Sequence, residues 1–149
     1  MTDKSNALDV LSELIEVCKD GQTGYTHAAG IVDDAKLKSY FQEESLERTR
    51  FIQDLKHASE NLGQQPDTSG SVAGALHRLW FEAKADIGLG DQSVLNSVEQ
   101  GEDRAKHAYE KALKENLPAD ISHMLHQQAQ GIFAAHDYVR DLRDKGKAA

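Results

Sequence analysis

Apolar residues recur at helical spacing through most of this chain, and only Pro66 and Pro118 interrupt it. Proline costs about 3 kcal/mol inside a helix, so its near absence leaves room for long, unbroken helices. No run alternates as a half-buried strand would. The first stripe is Ala7, Leu11, Leu14, Cys18, Gly21, Tyr25, Ala28 and Val32. Asp33 and Asp34 end that helix and are placed to cap the next. The second stripe is Leu37, Phe41, Glu44, Arg48, Phe51, Leu55, Ala58 and Leu62. A third begins near Asp91 with Leu95, Val98, Glu102, Ala105, Tyr109 and Ala112 inward. Pro118 turns the chain into a fourth, with Ile121, Leu125, Gln128 or Ala129, Ile132, His136 and Val139 inward.

Connection lengths then choose the topology. Helices one and two are joined by almost nothing, as are three and four, so each pair is an antiparallel hairpin. Between the pairs lie residues 63–90, a Gly/Pro-punctuated loop and a shorter amphipathic stretch, Ser71 to Ile87. That stretch makes a helix of about 25 Å at about 1.5 Å per residue, enough to travel a bundle's length. The expected fold is all-α: a ferritin-like four-helix bundle of two hairpins, with a long crossover containing a short extra helix. An up-down bundle with a decorated loop is the alternative. One domain spans 1–149, with a frayed, charged tail over about 143–149. Trp80 and Phe81 are expected to cover the bundle's open face, and Gly21 and Gly24 to admit the crossing helix.

The net charge of −8 argues against nucleic acid and against an anionic membrane surface, both of which call for Lys/Arg-rich patches. A single cysteine, Cys18, excludes an internal disulfide and suits a reducing cytoplasm. The start "MTDKSNALDVL" has no long apolar run, so neither a signal peptide nor a membrane anchor is expected.

The stretches "LIEVCKDGQTGY", "DDAKLKSYFQEESLERTRFIQDL", "SGSVAGALHRLW", "EQGEDRAKHAYEKAL" and "AAHDYVRDL" cover nearly the whole chain. In them the sequence resembles a bacterial family of uncharacterised ferritin-like bundles, a domain of unknown function. The resemblance implies the fold and a bacterial, cytoplasmic setting, and it implies no activity. The wider superfamily includes iron oxidases and stores, so metal has to be tested residue by residue.

A carboxylate-bridged di-iron centre takes a Glu from each of two helices and Glu-x-x-His from each of the others. No glutamate here has a histidine three residues on: Arg50 follows Glu47 at that distance, and Phe133 stands three before His136. Two Asp-x-x-His pairs do occur, Asp54/His57 and Asp120/His123. In a ferritin-like path they meet at one bundle end, either as a weak zinc- or nickel-type site or as solvated helix termini.

Polar residues on the inward stripes are more informative. Tyr25, Glu44, Arg48, Glu102 and His136 each lie about eight to thirteen residues inward from one bundle end, within a slab ~7 Å thick. We expect a buried network of Tyr25, Glu44, Arg48, Glu102 and His136, with Glu47 joining it or pointing outward. A guanidinium then stands where a di-iron protein places metal charge, because an enclosed carboxylate needs a partner. Alternatively, Glu44, Glu102 and His136 bind a divalent iron, zinc or manganese ion, with ferroxidase or redox activity. Which of Glu99, Glu102 and Asp103 faces the core stays open. Without a phosphate loop or nucleophile elbow, the expectation is a non-catalytic, cofactor-free binding or stress-associated protein, partnered by itself or another protein.

Overall fold

Local chemistry marks both ends of the second helix. The computed structural model describes residues 2–64 and 90–148. Helix α1 spans Thr2–Ile31, α2 Ala35–Asn61, α3 Asp91–Leu113 and α4 Ala119–Ala148. Asp34 is the N-cap of α2, its Oδ1 accepting a hydrogen bond from Leu37 N at 3.0 Å. Past the end of α2, Gly63 takes the positive φ of 88° that side chains resist. The expected crossover helix, with Trp80 and Phe81, lies outside the described residues.

Contacts between the helices give their directions. Asn6 near the start of α1 donates to Glu115 just past α3, and Lys111 pairs with Glu13. At the other end, Asp91 accepts hydrogen bonds from Asp33 N at 2.8 Å and Asp34 N at 3.0 Å. Helices α1 and α3 are therefore antiparallel, so α2 and α3 run the same way. The chain leaves α2 at one end of the bundle and enters α3 at the other. That is the ferritin-like arrangement of two hairpins and one long crossover.

The core divides lengthwise into two apolar clusters. One joins Leu11, Leu14, Ile15, Cys18, Leu55, Tyr109, Leu125 and Ile132; the other joins Tyr25, Phe41, Val94, Leu95, Val98 and Val139. Arg48, wholly buried, belongs to neither. Among the described residues, no helix is long and apolar enough to cross a membrane.

The tail departs from the fraying expected over 143–149, since α4 continues to Ala148. Two contacts hold its last turns on α3: Arg143 Nη1 lies 2.8 Å from Glu99 Oε2, and Gln92 Nε2 donates to the Arg143 carbonyl at 3.1 Å. Charge composition alone does not reveal that these charges have tertiary partners.

Candidate functional site

Arg48 is the largest fully buried side chain of the described residues. Its Nη2 donates to Glu102 Oε2 at 2.8 Å, and Glu44 Oε1 lies 4.0 Å from the same nitrogen. The guanidinium carbon sits 5.3 Å from the centre of the Tyr25 ring, a cation–π distance. Burial is the largest influence and opposes the Arg48 charge. The charge and hydrogen bond of Glu102, with Tyr25 and Cys18 adding to them, together hold the group well above its ordinary range. Burial lifts the Glu44 carboxyl to about 7, although Arg48 pulls it down.

Space for this cation comes from the first helix. A Cβ at position 21 would lie 2.7 Å from Arg48 Nη1, so glycine there admits the guanidinium. The room made by Gly21 thus goes to Arg48 on α2, where the sequence suggested the crossing helix.

Of the residues expected around Arg48, the structure brings Tyr25, Glu44 and Glu102 to it. His136 goes elsewhere: its Nε2 faces Asp103 Oδ1 at 2.5 Å and its Nδ1 faces Asp137 Oδ1 at 3.1 Å. Tyr25 contributes its ring face, and its hydroxyl makes no hydrogen bond to described residues. Glu47 turns toward α4, where glycine at 131 leaves room for its carboxylate: a Cβ there would lie 2.6 Å from Glu47 Oε1.

The three neighbouring acids of α3 divide among three partners. Glu102 pairs with Arg48, Glu99 with Arg143, and Asp103 with His136. Glu102 alone of the three points at α2. The set Glu44, Glu102 and His136 is therefore not assembled as metal ligands. Among the described residues the cluster of three ligand types is instead Glu99, Asp103 and His136, with donor atoms within 4.8 Å of one another.

At the far end of the bundle, Asp54, His57 and Asp120 line one cleft of about 290 Å³ with Asn61 and Met124. The two Asp-x-x-His pairs do share an end, as the ferritin-like path requires. All four side chains are exposed, and no donor trio of the metal-binding kind forms there among the described residues.

A second buried polar string was not legible beforehand. Tyr109 Oη donates to Gln128 Oε1 at 2.7 Å and lies 3.3 Å from Cys18 Sγ; Gln128 Nε2 reaches the Phe51 carbonyl at 3.5 Å. The inward placement of Cys18, Tyr109 and Gln128 on their stripes was its only sequence signal. A groove of about 470 Å³ between α1 and α3, lined by Asp20, Arg104, His107 and Lys111 among others, was likewise missed.

Residues 6–115 match the family described as a domain of unknown function, DUF2383. The chain belongs to the DUF2383 family. Its fold is similar to that of a solved Mycobacterium smegmatis Dps1 mutant, with a TM-score of 0.79 at 15% identity. That alignment covers 95% of this chain and 97% of the other, so the likeness is one of whole folds. Comparison with curated proteins finds no match. For this DUF2383 protein the ferritin-like architecture is thus established, while the di-iron donor set does not fit. A buried guanidinium holds Glu102, and a fixed cation repels a dication from that layer.

Proposed function

We propose that this DUF2383 protein is a non-catalytic ferritin-like module that acts by binding, to copies of itself or to another protein. One observation carries the reading. The Arg48–Glu102 pair, with side chains 0% and 2% exposed, neutralises the bundle interior from within the chain. Acids that would need a metal to be buried together are already matched, and buried ion networks of this kind serve structure more often than chemistry. For binding, the surface offers Leu46, 61% exposed on α2, and Tyr138, 47% exposed on α4 and packed on Tyr40. Aromatic side chains such as the paired Tyr40 and Tyr138 are enriched where one folded surface meets another.

The test is ferrous oxidation in air together with light scattering at high protein concentration. The reading expects iron oxidation no faster than in buffer, and a mass above the monomer or a complex with a second chain. Saturable oxidation that disappears in Glu102→Gln would overturn the non-catalytic assignment. A strict monomer at every concentration would leave only a partner of another kind, to be sought by cross-linking in cells.

A further inference from the structure

We propose that Glu99, Asp103 and His136 form a divalent-metal site on the seam between α3 and α4, outside the Arg48 layer. Glu99 and Asp103 stand four residues apart on α3, so their carboxylates project from one helix face. His136 meets them from the antiparallel α4, and the three donor atoms lie within 4.8 Å of one another. Two oxygens and one imidazole nitrogen on rigid helices are a donor set for zinc, manganese or ferrous iron.

The surroundings of the histidine support the assignment independently. Its ring is almost wholly buried, with Asp103 on Nε2 and Asp137 on Nδ1 at 3.1 Å. Metal-bound histidines characteristically donate their second ring nitrogen to a carboxylate, which fixes tautomer and ring orientation. With Nδ1–H given to Asp137, a metal taken up at Nε2 replaces the proton that the ring nitrogen and Asp103 share, as metal binding to histidine requires. Arg140 in turn holds Asp137, its Nη1 lying 3.4 Å from Asp137 Oδ1.

Arg143 is the competing cation, 2.8 Å from Glu99. It has another carboxylate in reach, Asp144 at 3.0 Å, and so can release Glu99 without being stranded. Two carboxylates then balance the charge of a dication, leaving the fourth position to water or an outside ligand.

The proposal does not rest on a metal-free interior, and its test is separate from that of the Arg48 layer. Untagged, chelator-treated protein is titrated with zinc in a calorimeter and with cobalt by visible absorption. The expectation is about one equivalent bound, as a single site of this kind holds. Asp103→Asn and His136→Gln should each weaken it by about tenfold or more, while His123→Gln leaves it intact. Absence of binding, or binding undiminished in a folded His136→Gln variant, overturns the site. Should that variant unfold, zinc-edge anomalous scattering from wild-type crystals decides. A peak about 2.0–2.2 Å from His136 Nε2 supports the site, and a peak elsewhere or none refutes it.

Discussion

Gly21 on α1 stands directly against Arg48 on α2, where even a methyl group would come within 2.7 Å of the guanidinium Nη1. The guanidinium cannot simply swing aside, because Glu102 holds its other nitrogen at 2.8 Å. Gly21→Ala therefore combines overpacking, typically about 1–3 kcal/mol, with a helix-propensity gain of about 1 kcal/mol. We expect a net destabilisation of about 1 kcal/mol in urea unfolding. In an Arg48→Met background the clash is gone and the same alanine should stabilise. A double-mutant cycle without that change of sign would show that the two residues are not coupled.

The Arg48–Glu102 pair yields an asymmetric prediction. Arg48→Met leaves a carboxylate buried without its counter-charge, which costs about 3–5 kcal/mol. The double variant Arg48→Met/Glu102→Leu removes both charges while keeping volume, and should recover most of that loss. Equal destabilisation of the single and double variants would mean that packing volume, and not charge, governs this layer.

How far the sequence discloses this arrangement depends on helix rotation. The apolar stripes, the Asp34 cap and Pro118 mark helix ends to within a few residues, because period and capping are local physics. The same local logic reveals that Arg48 is enclosed and needs an acid. It does not say which acid. Successive residues rotate about 100° around a helix, so Glu102 faces α2 while Glu99 and Asp103 face α4. His136 sits on an inward stripe in either case, and only coordinates show it turned toward Asp103. Arg143 likewise reads as part of a frayed tail until Glu99 is seen beside it.

Acidity should stabilise this protein through its raised carboxyls. Burial moves Glu44 from 4.5 to about 7, with Arg48 opposing and Glu47 adding to the rise. Burial, with the charge of Glu16, moves Asp20 from 3.8 to about 6. Both folded values exceed the unfolded ones, so the folded state binds more protons across that window. Their contribution is complete below the unfolded values and is lost as pH rises through about 6 and then about 7. Urea midpoints should therefore fall from mildly acidic to neutral pH, and Glu44→Gln with Asp20→Asn should flatten the decline. A midpoint that rises over that interval in the wild type would contradict the assignment.

Asp91 ties the first residue of α3 to the α1–α2 turn through the backbone amides of Asp33 and Asp34. It also places a negative charge at a helix N-terminus, where the macrodipole favours one. Asp91→Ala loses two charge-assisted hydrogen bonds in an exposed setting, and we expect a loss of about 1–2 kcal/mol. Amide exchange at Asp33 and Asp34 should accelerate selectively. Unchanged protection at both amides would show that the turn does not depend on this carboxylate.

Cys18 offers a probe of how the bundle opens. Burial pushes its thiol up to about 11, although Arg48 and the Tyr109 hydrogen bond pull the other way. Only the thiolate reacts with a disulfide reagent, and Cys18 has no exposed surface in the folded state. Labelling at mildly alkaline pH should then proceed only through transient opening and quicken with urea along the unfolding curve. Arg48→Met, by loosening the layer beside it, should raise the logarithm of the labelling rate in proportion to its loss of stability. Fast labelling of the native wild type, indifferent to urea, would mean that the α1 face carrying Cys18 is open to solvent and that the core is not closed around Tyr109.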